Sequence, residues 1–225
     1  MPHITQIKSE IFFGKENLTS ENIWIDLTNM NEKFNSPRAA LFLDRDGVII
    51  EDTHYLCDVS DIRIIESTAR LIAKANTLGL AVIIITNQSG IGRGYFNWSH
   101  FIKVQNELSF YLQTFNAKWD VVLACPHHLK GTKKYYHPAH PFRKPQAGML
   151  HAAAELVNID LSRSWLIGDK ITDIQAGSNA YIKGAVFFSN SEMSSGTTKK
   201  ILGLQTPTFK VHVSNDFDKI CKLIM

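Results

Sequence analysis

The chain has 225 residues, 44% hydrophobic and 20% charged, with a net charge of +3, which points to one large globular domain with ample core. That charge is too small to imply a nucleic-acid partner, and the basic pairs Lys133-Lys134 and Lys199-Lys200 are isolated, without interleaved stacking aromatics. Three cysteines form no disulfide framework, no stretch approaches the ~20 apolar residues that cross a bilayer, and no secretory signal is evident, so the chain reads as soluble, membrane-free and cytoplasmic.

Residues 1–37 fit the pattern of the rest poorly. Their apolar triplets Ile11-Phe12-Phe13 and Ile23-Trp24-Ile25 suggest short strands in an extension packed on a main domain, 38–225, with Ser36-Pro37 at the boundary. From there strands and helices alternate. Residues 39–43 read as a buried strand, 67–78 as a helix with Leu71, Ile72, Ala75 and Leu78 inward, and 80–85 as a strand buried on both faces. A longer helix is expected at 99–115 with Ser99 as N-cap, then a strand at 121–124 and a loop rich in His, Lys, Tyr and Pro. Helices at 148–157 and 172–180 alternate with strands at 164–167 and 185–188. Residues 189–198 look like a flexible loop, 209–213 like an edge strand and 216–223 like a terminal helix. This order predicts an α/β fold with a Rossmann-like, doubly wound parallel sheet in three α/β/α layers.

Polar groups then collect at the carboxyl ends of the strands, where ligands bind in open α/β sheets. The first strand delivers Asp44 and Asp46 onto the turn at Gly47, two like charges that need a cation, a shared proton or ample water. The strand ending at Ile85 delivers Thr86, Asn87, Gln88 and Ser89. Arg143 and Lys144 close the long loop, and Gly168-Asp169-Lys170 is followed by Asp173 one helical turn later. Each piece alone has a dull structural explanation; together they meet the needs of phosphoryl transfer. Asp44 and Asp169, with the Asp46 backbone carbonyl, suit Mg²⁺, while Thr86 and Lys144 suit phosphoryl oxygens. A carboxylate can attack phosphorus, and a second one can move protons for leaving group and water.

Asp44-Arg45-Asp46-Gly47, Thr86, Lys144 and Gly168-Asp169-Lys170 with Asp173 resemble the four ordered motifs of the haloacid dehalogenase superfamily. The runs from Thr86 to Gly94, from Cys125 to His128 and from Arg143 to Pro145 resemble its D,D-heptose 1,7-bisphosphate phosphatase branch, related to histidinol-phosphatases; the similarity spans roughly 38–190. The resemblance implies a Mg²⁺-dependent phosphatase without a large cap domain. Asp44 would be the nucleophile, Asp46 the general acid/base, Thr86 and Lys144 the phosphoryl stabilisers, and Asp44, Asp46 and Asp169 the Mg²⁺ site. It also implies substrate contacts at Arg45, Asp52, Thr53, His54, Tyr55, Asn87, Gln88, Ser89, Arg143 and Lys170. A small phosphorylated sugar is the expected partner, with histidinol phosphate or another metabolite as alternative, and the chain is expected as a monomer or small homo-oligomer. A receiver-like phosphoacceptor domain is the non-enzyme alternative; a general acid at Asp46 argues for turnover instead.

Many branch members hold a structural zinc in the long loop. Here Cys125 and His127 remain, but the later cysteine pair is replaced by His140 and Phe142. Cys125, His127, His140 and His137 (or His128) would make a Cys/His₃ tetrahedron, which zinc accepts; the alternative is a loop without metal, stiffened by prolines and aromatics.

Overall fold

The computed structural model describes residue 12, residues 14–189 and residues 193–224. The strand expected at 11–13 falls largely outside them. The elements are β1 (Glu16–Leu18), β2 (Trp24–Asp26), β3 (Ala40–Leu43), α1 (Glu66–Thr77), β4 (Ala81–Asn87), α2 (Ser89–Gly92), α3 (Trp98–Thr114), β5 (Val121–Cys125), α4 (Gly148–Val157), β6 (Trp165–Gly168), α5 (Ile171–Asn179), β7 (Gly184–Phe188), α6 (Ser195–Leu202), β8 (Lys210–Ser214) and α7 (Phe217–Ile224).

The sheet runs β1-β2-β5-β4-β3-β6-β7-β8; the β1–β2 and β2–β5 pairings are antiparallel and the other five are parallel. Strand order reverses at β3: β4 and β5 build outward on one side, β6 to β8 on the other. The reversal leaves a crevice between the ends of β3 and β6, the usual ligand position in doubly wound sheets.

Why these strands lie in the middle follows from their side chains. Val82, Ile83, Ile84 and Ile85 of β4 are all fully buried, and each such aliphatic contributes about 1.5–3 kcal/mol. Alternation sends Phe42, Ile83 and Leu123 into one core with Leu150 of α4, Ile174 of α5 and Ile201 of α6. Leu43, Ile84 and Val122 enter a second core with Ile72 of α1, Leu108 of α3 and Ile220 of α7. The sheet therefore has helices on both faces, as expected.

Between β3 and α1 the chain forms a short helical turn at Val59–Asp61 and the isolated bridges Asp46–Ile50 and Ile50–Ile64, so this segment builds no cap domain. The N-terminal hairpin β1–β2 continues the main sheet through β5, pairing Trp24 with Ala124, and the Asp26 carboxylate accepts a hydrogen bond from the Trp119 indole at 3.2 Å.

Two sequence expectations need correction. Helix α3 is capped by Asn97, not Ser99: the Asn97 side chain accepts from the His100 amide at 3.2 Å, and His100 answers with a reciprocal bond. The expected flexible loop at 189–198 contains the start of α6, capped by Ser194. Its sequence hides the helix because only Ile201 is buried, leaving no apolar period to read.

Candidate active site

Asp44 follows the last residue of β3, and alternation turns it to the face that carries Phe42. There it meets Lys144, whose ammonium lies 2.9 Å from Asp44 Oδ1, 2.6 Å from Asp173 Oδ1 and 2.9 Å from the Ile85 carbonyl. All three charged side chains are almost wholly buried. Burial pushes the Asp44 carboxyl up to about 7; Lys144 opposes this, while Asp173, Asp169 and Asp46 add to it. For Lys144, burial weighs against the charge, but Asp173 and Asp44 together hold its pKa above the usual lysine value.

Asp169, at the end of β6, completes the group across the crevice. Ligand atoms of Asp44, Asp169 and Asp173 lie within 4.8 Å of one another, the only such His, Cys or carboxylate set among the described residues. Burial raises Asp169 to about 6, and its Oδ1 is buried without a hydrogen-bond partner. Asp173 doubles as a helix cap, since its Oδ2 accepts from the Lys170 amide at 2.9 Å. Two glycines admit these carboxylates. A Cβ on Gly47, at φ +86°, would sit 2.3 Å from Asp169 Oδ2, and one on Gly168 would sit 2.2 Å from the Asp173 Cβ.

Arg45 points the other way, as alternation demands. Its guanidinium donates to Gln105 at 3.1 Å, lies over Phe101 of α3, and grips both oxygens of Asp46 at 3.0 and 3.2 Å. The guanidinium is thus engaged in orienting Asp46. Gln88 holds Asp46 from the other side: its amide donates to Asp46 Oδ2 at 3.0 Å and to Thr86 Oγ1 at 2.9 Å. The Asp46 carboxylate is thus engaged by protein donors, which leaves its backbone carbonyl as the expected metal donor.

A cavity of about 250 Å³ opens over these groups, lined by Asp46, Asp52, His54, Tyr55, Asn87, Gln88, Ser89 and Lys170, with Arg45 at its floor. Eight of the ten expected substrate residues, Arg45 included, meet there. Thr53 is exposed and does not line it, and Arg143 lies outside the lining, its Nη1 donating to the His127 carbonyl at 3.0 Å. His54 and Tyr55 both adopt left-handed backbone, φ 56° and 60°, a strain typical of functional segments. Lys170 reaches Asp52 at 3.1 Å and Asp169 at 3.7 Å. Burial opposes its charge, yet Asp44, Asp169 and Asp52 raise its pKa. Sequence reasoning missed Arg93, which donates to the Tyr55 and Tyr95 hydroxyls; it lies inside the run from Thr86 to Gly94, so the signal was present but unassigned. Gln105 was missed because nothing in α3 marks one buried polar residue.

The Cys/His₃ tetrahedron does not form. His127 Nε2 is bonded to the Glu21 carbonyl at 2.8 Å, His140 Nδ1 accepts from the Phe142 amide at 3.2 Å, and His137 Nδ1 accepts from the Ala139 amide at 3.2 Å. Burial pushes the Cys125 thiol up to about 12, so it is neutral. Cys125, His127, His137 and His140 do not bring their ligand atoms together as a metal-ligating set among the described residues.

A deep crevice at a strand-order reversal, holding a lysine between buried carboxylates, defines a phosphoryl-transfer enzyme of the doubly wound class. Similarity to known proteins agrees. A family model described as "HAD-hyrolase-like" matches residues 141–200. The chain is 42% identical over 163 residues to the D-glycero-β-D-manno-heptose-1,7-bisphosphate 7-phosphatase of Mesorhizobium japonicum, spanning 72% of this chain and 75% of that one. It is 36% identical over 168 residues to the D-glycero-α-D-manno-heptose-1,7-bisphosphate 7-phosphatase of Burkholderia mallei, spanning 75% and 89%. Among solved structures, an HAD-like phosphatase from Mesorhizobium loti superposes with a TM-score of 0.79 at 35% identity, covering 90% of this chain and 92% of that one. The D,D-heptose 1,7-bisphosphate phosphatase of B. bronchiseptica, complexed with magnesium and phosphate, superposes with a TM-score of 0.68 at 22% identity, covering 83% and 97%. The chain belongs to the haloacid dehalogenase superfamily, as its motifs implied, and is a phosphoric monoester hydrolase. Among the described residues no helix is long and apolar enough to cross a membrane.

Proposed function

We propose that the chain hydrolyses one phosphate of D-glycero-D-manno-heptose 1,7-bisphosphate through an aspartyl-phosphate on Asp44. One observation carries this reading: Asp44 is held by Lys144 two residues before Asp46, which lines the cavity and is fixed from two sides.

The carboxylate donors fit Mg²⁺, and the buried, unpartnered Asp169 Oδ1 is the atom most in need of a cation. Asp44 and Asp169 would hold the ion with the Asp46 carbonyl; when bound, it would neutralise charge on the phosphoryl oxygens. The chain's own residues do the rest. Lys144 keeps the Asp44 carboxylate ionised against the cost of burial. Asp44 forms a bond to phosphorus as the ester P–O bond breaks, and Asp46 gives its proton to the departing sugar oxygen. Thr86 Oγ1 accepts from Gln88, which leaves the hydroxyl hydrogen for a phosphoryl oxygen. Asp46 then takes a proton from water as that water attacks phosphorus; the P–O bond to Asp44 breaks and inorganic phosphate leaves.

The substrate follows from the relatives and from local charge. Burial and the charges of Arg143, Arg93 and Lys130 hold the His128 pKa below its ordinary value, which marks a positive rim suited to a second phosphate. Histidinol phosphate has an ammonium and no second phosphate, so it suits a positive rim less well. In a single turnover in H₂¹⁸O, label should enter the Asp44 side chain; label appearing only in released phosphate refutes the intermediate. Both heptose anomers should outperform histidinol phosphate in kcat/KM; the reverse order refutes the substrate.

A further inference from the structure

The N-terminal hairpin lies outside the motifs of the superfamily, yet its turn touches the loop that carries Arg143. Because β2 runs antiparallel to β5 with Trp24 opposite Ala124, the residues just before Trp24 meet those just after Ala124. The turn is well defined: the Thr19 hydroxyl accepts from the Ile23 amide at 3.1 Å, and the Asn22 amide donates to the Thr19 carbonyl at 2.8 Å.

Glu21 at this turn engages the loop twice. Its carbonyl can only accept, so the 2.8 Å bond places the hydrogen of His127 on Nε2. His140 accepts the Phe142 amide on Nδ1, so its Nε2 carries the hydrogen and faces Glu21 Oε2 at 3.9 Å. The two rings stack with centroids 3.9 Å apart and planes 4° from parallel. Both histidines continue to one residue. The His127 carbonyl accepts from Arg143 Nη1 at 3.0 Å, and the His140 carbonyl accepts from the Arg143 amide at 2.9 Å. The guanidinium and the backbone of Arg143 are therefore both tied, one residue removed, to Glu21.

We propose that Glu21 is a positioning residue for substrate selectivity, holding Arg143 through the stacked pair His127 and His140. This rests on the reading of Arg143 as a contact for the part of the substrate that is not hydrolysed. Glu21→Ala keeps the backbone carbonyl, and with it the His127 anchor, but frees His140. Glu21→Gln keeps an amide oxygen of the same reach facing His140 Nε2, without the charge.

The test compares Glu21→Ala, Glu21→Gln and Arg143→Ala on the heptose bisphosphate and on p-nitrophenyl phosphate, which offers Arg143 nothing to hold. Glu21→Ala should raise KM for the bisphosphate about tenfold with kcat retained, the scale of one displaced hydrogen bond to a charged group. Its p-nitrophenyl phosphate kinetics should stay within about twofold of wild type, and Glu21→Gln should restore KM for the bisphosphate. Equal losses on both substrates would overturn the proposal, as would an unchanged KM in Glu21→Ala while Arg143→Ala raises it. An unchanged KM in Arg143→Ala would overturn the underlying reading of Arg143, and the proposal with it.

Discussion

Replacing Lys144 with methionine keeps the volume of the side chain and removes only the charge, which isolates what that ammonium does. At 2.9 Å from Asp44 and 2.6 Å from Asp173, each attraction is about 6 kcal/mol at an effective dielectric constant near 20. Desolvation of the ammonium offsets much of that sum, and breaking a buried pair by removing one partner typically costs 3–5 kcal/mol. The Ile85 carbonyl also loses its donor from Lys144. Lys144→Met should therefore lose about 3–5 kcal/mol in urea unfolding at about pH 8 with a chelator present, or roughly 6–20 °C in Tm. The loss should shrink at about pH 5.5, where Asp44, already pushed up to about 7, is neutral and needs no counter-charge. A penalty below about 1 kcal/mol at pH 8, or one equal at both pH values, would refute the assignment of Lys144 as the counter-ion of buried carboxylates.

Gly47→Ala places a methyl 2.3 Å from Asp169 Oδ2 at φ +86°, so Asp169 must move; kcat should fall at least about 100-fold while far-UV circular dichroism is retained. Activity within about threefold of wild type would show that this contact is not needed. Magnesium should stabilise the chain in a pH-dependent way. Asp44 and Asp169 have folded pKa values raised from 3.8 to about 7 and about 6, so what they contribute to stability is complete below about 4 and lost as pH rises through those values. In chelator the chain should melt higher at about pH 5.5 than at about pH 8, and the Tm gain from added Mg²⁺ should be largest at the higher pH. A magnesium shift independent of pH would place the ion elsewhere.

How much of this was written legibly in the chain depends on how local the signal is. The run from Val82 to Ile85 announces a central strand because each of its residues must be buried whatever its neighbours do. The span of α4, 148–157, was read to the residue, since its apolar positions recur at helical spacing between a glycine start and Asn158 in left-handed backbone at the end. Where burial is slight the signal fails: β1 has only Asn17 buried, and α6 only Ile201. The candidate site was largely legible because its members sit at strand ends, where the sheet itself brings distant segments together. The loop histidines were not, because their partner is a turn roughly a hundred residues earlier, and only the pairing of β2 with β5 brings Glu21 to them.

The same alternation that made the motif readable also explains where the side chain between its two aspartates goes. Extended backbone puts Asp44 and Asp46 on one side only if Arg45 takes the other, and that other side is the core holding Phe101 and Gln105. A guanidinium cannot remain there without a carboxylate, and the nearest is its own neighbour, Asp46. The buried arginine and the acid/base carboxylate are thus one device: the charge that solvates Arg45 inside α3's core is the same charge whose direction toward the cavity must be fixed. Gln88 then closes the arrangement from the opposite side and links it to Thr86, so the proton carrier and the phosphoryl donor share one support.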